Sequence, residues 1–343
     1  MNNFTFPANK TYFRGKIQNF YFNKSRKFKS FEIDILDPKD NLINIDNIDY
    51  YFTYLTTSGK NKGGNSIILK LYESQNINLS DIEYDEPNLI LKILKFPKAL
   101  NEFLQFKSEK RFKKEISALK ECKKRRFQNI IEIENDGICK IFNSKKRKFE
   151  EYLYYTMEYA EFDLKQFLEA NVNLSLDEKI GLCLSLSQGI EELKSIGYYH
   201  RDIKPDNIFV SNGSWKIGDL GLISEREDDE QIDKANEFIG PRGWHSPEAM
   251  NKYLCEGKNF EFSHDCNLDH QSDIFQLGKV FWYILQNNAP TGVFRQQDTF
   301  IKQNDIYPIV RTMLNYSKKR RYDNISEVIN LLKPIERKLQ LVV

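Results

Sequence analysis

One short polar segment, residues 200–207 with the sequence HRDIKPDN, constrains this chain more than any other. It is followed by a second aspartate, Asp219, in an Asp-Leu-Gly sequence. Phosphoryl transfer needs a carboxylate that accepts a hydroxyl proton, a cation beside the migrating group, and oxygen ligands for Mg²⁺. Asp202, Lys204, Asn207 and Asp219 have these chemical properties, so the segment predicts a phosphotransferase site.

Two short apolar runs, 208–210 and 215–217, follow this segment, and Asn212-Gly213 lies between them. An Asn-Gly pair between β-prone runs is a strong signal for a tight hairpin turn. We therefore expect Asn207 and Asp219 at the two open ends of one hairpin. Oxygen atoms placed in this way can bind one Mg²⁺ ion together.

The segment 200–207 resembles the catalytic loop, HRDxKxxN, of eukaryotic-type protein kinases. The later sequences Asp-Leu-Gly at 219–221 and Ser-Pro-Glu at 246–248 resemble further motifs of the same family. The resemblance implies an α+β, bilobal protein-kinase-like fold, with a small β-rich N-lobe that has one main helix and a larger, mostly helical C-lobe. The implied divisions are an N-terminal β extension of unknown role (1–47), the kinase N-lobe (48–158) and the kinase C-lobe (159–343).

The implied reaction is ATP- and Mg²⁺-dependent transfer of the γ-phosphoryl group to a hydroxyl of a protein substrate. In the family, Asp202 would orient the hydroxyl and accept its proton, and Lys204 would screen charge on the γ-phosphoryl group. Asn207 and Asp219 would hold Mg²⁺. Two alternatives stay open: an ATP-binding pseudokinase scaffold, and a small-molecule phosphotransferase with a kinase-like core.

Composition narrows the class of protein. With 51 Lys+Arg against 49 Asp+Glu, the net charge is +2, so we expect neither nucleic acid nor an anionic membrane as the main partner. The five cysteines are scattered and odd in number, which favours a reducing compartment over a disulfide framework. The first residues show no signal-peptide pattern, and apolar runs such as 280–285 are too short to span a bilayer. We expect a cytoplasmic protein; the oligomeric state stays open.

The N-lobe begins with short β-prone runs. Those at 16–22 and 31–36 predict an extra hairpin on the lobe, rather than a separate binding module. Strands are next predicted at 50–55 and 67–72, and the turn between them contains glycines. The position of this turn corresponds to the glycine-rich loop of kinases, where Gly59 and Gly64 would let backbone N–H groups approach the phosphates of ATP. The pattern is degraded, and an ordinary hairpin turn is the alternative.

The next strand, 89–94, carries Lys92 between apolar residues. The lysine that binds the α- and β-phosphates in the resembled family has the same apolar context. Lys70 and Lys95 are rival positions. A helix follows at 108–124, with an apolar stripe. Glu115 lies beside the stripe, where the family places the glutamate that pairs with the lysine; Glu109 and Glu121 are the alternatives. We interpret residues 127–136 as an insertion, and predict strands at 137–143 and 152–157.

The segment from Met157 resembles the hinge between kinase lobes. The resemblance implies that the backbone of Glu158 and Ala160 faces adenine, that Met157 limits the depth of the pocket, and that Asp163 reaches the ribose. A capping box at Ser175 then predicts a helix that ends at Gly197, and a last helix is predicted at 325–332.

Two cues to the acceptor residue disagree. Lys204 is typical of Ser/Thr kinases. Residues 240–248 match the family's substrate-docking loop, but the threonine that this lysine contacts there is absent, and Pro241 with Trp244 resembles the tyrosine-kinase pattern instead. We give Lys204 more weight, since it would touch the reacting group. Ser224 is the one hydroxyl in the candidate activation segment 222–238. Our hypothesis is that an acidic residue among 225–233 takes the place of a phosphate beside Arg201.

The remaining candidates are structural. The resemblance implies that His200 packs rather than acts as a base, that Asp273 caps the catalytic loop, and that Arg321, with Arg320 as fallback, pairs with Glu248. A Cys/His group could form a structural zinc site, but its spacing fits no compact zinc pattern, and an ordinary loop is favoured. Its members are Cys255, His264, Cys266 and His270.

Overall fold

The described residues of the computed structural model divide into two compact units, within Met1–Ile116 plus Glu132–Tyr159 and within Ser117–Ile131 plus Ala160–Val343. Helix α1 (Lys107–Arg125) contributes its first part to one unit and its last part to the other. The described residues are 12–14, 16–23, 28–34, 41–55, 65–75, 82, 85–99, 107–143, 147–225, 232–259, 261–292, 294–299 and 305–341.

The first unit is built mainly from strands. They are β1 (Tyr12–Arg14), β2 (Lys16–Asn23), β3 (Phe28–Asp34), β4 (Leu42–Ile45), β5 (Ile48–Tyr54), β6 (Ser66–Glu73), β7 (Leu89–Leu94), β8 (Ile133–Asn143) and β9 (Lys148–Glu158). All except β2 and β3 form a closed barrel in the order β1-β4-β5-β6-β7-β9-β8. Apolar residues such as Phe52, Leu69, Leu91 and Tyr152 fill the barrel core. The strands predicted at 50–55, 67–72, 89–94, 137–143 and 152–157 are confirmed.

The residues before 48 join this barrel and also form a hairpin of their own. Strand β1 pairs with β4 in antiparallel and with β8 in parallel orientation, which closes the barrel. Among the described strands, β2 and β3 pair only with each other. The predicted division after residue 47 falls at the tight β4–β5 turn, where Ile45 pairs with Ile48 and both Asp46 and Asn47 have positive φ.

The second unit contains most of the helices. Its elements are β10 (Phe162–Asp163), α2 (Leu164–Ala170), α3 (Leu176–Ser195), β11 (Tyr198–Tyr199), β12 (Ile208–Ser211), β13 (Ser214–Ile217), β14 (Ser224–Glu225), α4 (Pro247–Cys255), α5 (His270–Gln286), α6 (Ile306–Met313) and α7 (Ile325–Gln340). Short 3-10 turns lie at Pro205–Asn207, Gln296–Asp298 and Lys318–Arg320. The predicted capping box at Ser175 is confirmed at the start of α3. Within the described ranges, no helix combines the length and apolar character needed to cross a membrane.

Two predicted boundaries were wrong. The supposed insertion at 127–136 contains the start of β8 at Ile133, and before it the backbone pairs with β13: Ile217 donates to Asn129 O (2.8 Å) and receives from Ile131 N (3.0 Å). These backbone bonds join residues 129–131 to β13 of the second unit. The last helix, predicted at 325–332, continues to Gln340 through Pro334, because Ile335 extends its buried stripe.

Candidate active site

Helix α5 holds the catalytic loop in place with two side chains. Asp273 accepts hydrogen bonds from the backbone N–H groups of His200 (2.7 Å) and Arg201 (2.8 Å), as predicted. Gln276, one turn later, accepts from Ile203 N (3.0 Å) and donates to Arg201 O (3.2 Å). The sequence analysis missed Gln276, although its spacing from Asp273 places both on one helix face. The loop backbone is therefore held by buried side chains of α5.

Asp202 is the best-supported proton acceptor in this unit. Its side chain is nearly buried, and its Oδ2 accepts from Asn207 Nδ2 (2.8 Å) and Lys204 Nζ (3.3 Å). Burial raises the pKa of Asp202 to about 6, with the charge of Asp219 adding to the rise and that of Lys204 opposing it. The carboxylate is therefore ionised at neutral pH and more basic than an exposed aspartate.

Asn207 has a defined amide orientation. Its Nδ2 donates to both the backbone O (2.9 Å) and the carboxylate of Asp202, so its Oδ1 is directed away from these acceptors. The backbone O of Asn207 accepts from Gly218 N (2.9 Å), next to Asp219, and Ile208 pairs with Ile217 in the predicted hairpin. The structure thus brings Asn207 and the start of the Asp-Leu-Gly sequence together.

Asp219 and Arg201 both have left-handed backbone conformations, with φ of 56° and 66°. Non-glycine residues rarely adopt this conformation, and active sites are among the places where such strained residues cluster. Behind Asp219, Leu220 is fully buried and anchors the Asp-Leu-Gly sequence.

His200 is structural, as expected. Its ring is fully buried; Nδ1 accepts from Asp202 N (3.2 Å), so Nε2 must carry the proton that it donates to Gly218 O (3.1 Å). Burial lowers the pKa of His200 to about 4. A neutral ring with both nitrogens engaged is suited to positioning Asp202 rather than to acting as a base.

In the first unit, the structure brings together Lys92 of β7 and Glu115 of α1. Lys92 Nζ lies 2.7 Å from Glu115 Oε1, and both side chains are buried. Tyr155 of β9, which the sequence analysis missed, donates its hydroxyl to the same Oε1 (2.9 Å) and presents its ring 5.6 Å from Lys92 Nζ. Of the alternatives for Glu115, Glu109 accepts from Ala99 N and Glu121 pairs with Arg125.

Four other predicted nucleotide-binding residues lie between the end of β9 and the start of α2. Glu158 is the last residue of β9, and its backbone N–H donates to Glu132 O (3.0 Å). Met157 precedes it in the strand, and Ala160 follows two residues later. Asp163 caps α2 by accepting from Gln166 N (2.8 Å). Gly59 and Gly64 lie outside the described residues.

The start of α4 is tied to the end of the domain by a buried ion pair. Arg321 Nη2 lies 3.0 Å from Glu248 Oε1, and neither side chain has appreciable solvent exposure. Arg321 also donates to backbone oxygens of Gln271 and Asn315, and Ser272 donates its hydroxyl to Glu248 (3.1 Å). Arg321, rather than the fallback Arg320, is therefore the partner of Glu248.

An acidic residue of the candidate activation segment does pair with Arg201. Asp233 accepts from Arg201 Nη1, while Arg201 Nε donates to Leu222 O (2.7 Å). Both side chains of the pair are largely shielded from solvent. The guanidinium group of the catalytic loop thus has a carboxylate where the hypothesis placed one, within the range 225–233.

The Cys and His residues considered as a possible zinc site are not grouped together in the structure. His270 is buried at the start of α5, and its Nε2 accepts from Ile325 N (3.1 Å), whereas Cys266 donates to His264 O (3.5 Å). Across the described residues, no three His, Cys, Asp or Glu side chains are grouped so that they could hold a metal ion.

Comparison with known proteins decides the family. The family model described as the protein kinase domain matches residues 90–338, which is more than half of the chain. The chain belongs to the protein kinase family. The kinase thus has the predicted α+β fold, with a barrel-containing β-rich unit and a mostly helical unit.

Individual relatives of this kinase are distant. It is 21% identical to the mouse dual specificity protein kinase TTK over 48% of the chain, and 29% identical to the fission yeast serine/threonine-protein kinase cds1 over 52%. It is 27% identical to the rice cyclin-dependent kinase F-4 over 41% of the chain. The matched segments span 19%, 38% and 30% of these relatives, so the chain corresponds to less than two thirds of each.

Proposed function

We propose that this chain is a cytoplasmic, ATP- and Mg²⁺-dependent protein kinase that transfers the γ-phosphoryl group to Ser or Thr hydroxyls of a protein substrate. The observation that carries the proposal is the arrangement around Asp202, whose buried carboxylate is bonded to Lys204 and Asn207. Family membership supports the reaction class.

In the proposed reaction, Asp202 orients the acceptor hydroxyl and takes its proton as the oxygen forms a bond to phosphorus. The raised pKa of Asp202, about 6, suits this role because a stronger base accepts the proton more readily while remaining ionised at pH 7. Lys204, within hydrogen-bonding distance of the same carboxylate oxygen, would screen negative charge on the transferred group. Most of the catalytic effect would come from positioning and electrostatics.

The donor set fits Mg²⁺, a hard cation that prefers oxygen ligands. Because Asn207 Nδ2 is engaged by Asp202, the amide oxygen of Asn207 is the atom available as a ligand on that side chain, and Asp219 adds a carboxylate. When bound, Mg²⁺ would neutralise charge on the ATP phosphates. We assign Asn207 and Asp219 as its ligands.

For ATP itself, we assign Lys92 to the α- and β-phosphates, oriented by Glu115 and Tyr155. Gly59 and Gly64 would contribute backbone contacts to the phosphates, Glu158 and Ala160 would contact adenine, Met157 would limit the pocket, and Asp163 would contact the ribose. The buried ion pair supports the assignment of Lys92, because Glu115 and Tyr155 together fix the position of its ammonium group.

The preference for Ser/Thr follows from Lys204. Its Nζ is already directed to the Asp202 carboxylate (3.3 Å), so it stands beside the group that would react. Pro241 and Trp244 instead belong to the segment that we assign to substrate docking, which affects which peptide binds more than which hydroxyl reacts.

Incubation of the purified chain with γ-labelled ATP, Mg²⁺ and generic protein substrates, followed by mass-spectrometric site mapping, tests the proposal. We expect phosphorylated Ser or Thr from the wild-type chain and from Asp206→Asn, an exposed change in the same loop, but none from Asp219→Ala at unchanged folding. Normal phosphorylation by Asp219→Ala would overturn the metal assignment. Nucleotide binding without turnover would indicate a pseudokinase, and transfer only to small molecules would indicate the second alternative.

A further inference from the structure

A groove of about 620 Å³ lies in the second unit, between α4, α5 and the segment that precedes α4. Its apolar wall is formed by Phe238, Met250 and Tyr253, each of which is more than a third exposed to solvent. The Phe238 ring packs edge-on against Tyr253 (centroids 5.2 Å apart) and against His245 (4.2 Å). Exposed aromatic side chains that are grouped in this way mark binding surfaces more often than isolated ones do.

Two cations line the same groove. Arg242 lies over the Phe238 ring, with its guanidinium carbon 5.9 Å from the ring centroid, and Lys279 of α5 donates to Gly243 O (2.8 Å). Within the described ranges, neither cation forms an ion pair with a carboxylate. A guanidinium group that rests on an aromatic face keeps its edge N–H groups available for a bidentate carboxylate.

Among the described residues that line the groove, no acidic side chain offsets the charges of Arg242 and Lys279. Burial lowers the pKa of Lys279, and no acidic side chain of the described residues opposes this shift. Burial also lowers the pKa of His245; a hydrogen bond with the Gly240 backbone opposes this shift, and the positive charges of Lys279 and Arg242 add to it. Among the described residues, His245 Nε2 is buried without a hydrogen-bond partner. The groove therefore combines an apolar surface with net positive charge and an unsatisfied polar atom.

The groove is mechanically connected to the catalytic loop. Gln276, one turn before Lys279 on α5, bonds Ile203 N and Arg201 O on either side of Asp202. Gly240, in the segment that leads into the groove, has φ of 97°, and a Cβ there would lie 3.0 Å from Arg201 O. A substrate whose hydroxyl is held at Asp202 would thus present its flanking residues to a surface that α5 holds in a constant position.

We infer that this groove, lined in part by the segment already assigned to substrate docking, selects a protein substrate with an acidic side chain beside an aromatic or large aliphatic one next to the phosphoacceptor. The inference rests on the proposed function. The carboxylate would pair with Arg242 and Lys279, and the apolar side chain would pack on Phe238, Met250 and Tyr253. Charge complementarity is what favours an acidic peptide over other apolar ligands.

A peptide array tests the inference. A Glu-Phe pair is moved stepwise along both sides of a single Ser, and matched arrays replace the pair with Lys-Phe or with Glu-Gly. At one position we expect kcat/KM for Glu-Phe to exceed that for Lys-Phe by about tenfold or more, as expected when a like-charge contact replaces an attractive one. The Glu-Gly peptide should fall between them.

Charge-reversal variants identify the residues responsible. Arg242→Glu should reverse the preference between Glu-Phe and Lys-Phe, whereas Arg311→Glu, the same change at an exposed position of α6, should leave it as in the wild type. Thermal melting checks the folding of both variants. Equal kcat/KM for all three peptide series would overturn the inference. So would a gain of activity of Arg242→Glu toward every peptide, which would indicate that an acidic segment of this chain occupies the groove.

A binding measurement separates this inference from the proposed function. Fluorescence anisotropy with the labelled peptides and Asp202→Asn needs no turnover. If the wild-type chain phosphorylates nothing but Glu-Phe peptides bind tighter than Lys-Phe peptides, the groove assignment holds while the proposed function fails. Equal binding of the two series would refute the groove assignment whether or not the chain is active.

Discussion

Two segments of the second unit treat their polar groups in opposite ways. In the catalytic loop, Asp202 and Asn207 are buried and bonded to each other, and Asp273 satisfies the backbone behind them. In the groove, Arg242 and Lys279 stand beside exposed aromatic rings, and in the described part of the chain neither has an acidic partner. Pre-organised groups accelerate chemistry because they need not reorganise, whereas uncompensated groups gain most when a ligand arrives.

The strongest test of this contrast is removal of the carboxylate at the centre of the loop. Asp202→Asn keeps an oxygen that can accept from Asn207 but loses the base, so we expect kcat to fall by about 10²- to 10⁴-fold. The neighbouring exposed Asp206→Asn should retain wild-type kcat. Steady-state kinetics on one protein substrate measure both, and equal losses in the two variants would contradict the assignment.

Arg321→Ala tests the groove by destabilising the start of α4, one of the elements that form it. It leaves Glu248 buried without its cation at the start of α4, the helix that carries Met250 and Tyr253, so we expect the free energy of unfolding to fall by about 3–5 kcal/mol. Arg320→Ala, on the exposed neighbour, should change it by less than about 0.5 kcal/mol. Urea unfolding of the two variants gives the difference; similar midpoints would show that the pair is not needed.

The pH dependence of the kinase tests the buried state of Asp202. Because burial raises its pKa to about 6, the carboxylate is protonated as pH falls through 6, and kcat/KM should fall about tenfold per pH unit below that value. Because of the same shift, folding is favoured when Asp202 is protonated. This contribution to the free energy of unfolding is complete below the ordinary aspartate pKa and is lost as the pH rises through about 6.

Lys204 provides the matched variant for this pH profile. Its charge lowers the pKa of Asp202, against the larger effect of burial. In Lys204→Met, the acid limb of kcat/KM should therefore move to higher pH. A limb that stays near pH 4 in both proteins would mean that Asp202 is solvated during catalysis.

The smallest expected effect concerns the Arg201–Asp233 pair, which joins the catalytic loop to the segment leading into the groove. Asp233→Ala should lower activity by roughly tenfold, equivalent to about 1.4 kcal/mol, near the low end for hydrogen bonds between charged groups. Asp233→Glu should recover part of the loss, and Ser224→Ala should have no effect. If site mapping finds that active protein requires a phosphate on Ser224, the carboxylate does not replace it.

Much of this site was predictable because its residues are close in sequence. The segment 200–207, the hairpin across Asn212-Gly213 and the capping box at Ser175 involve local hydrogen bonds, which spacing and residue type determine. Gln276 and Tyr155 were missed because their roles depend on partners 73 and 40 residues away. The start of β8 was mistaken for an insertion for a related reason, since β9 and not its own pattern makes it a strand.

The N-terminal residues show most clearly what could not be predicted from the sequence. Short β-prone runs indicated strands before residue 48, but nothing local indicates that β1 pairs with β8, more than a hundred residues later, to close a barrel. The sequence by itself determined the family, the catalytic loop and the candidate residues, because motif chemistry is encoded in short range. Tertiary structure decided which glutamate meets Lys92, which acid meets Arg201 and where an exposed, positively charged groove forms, because those choices depend on burial and on contacts between distant segments.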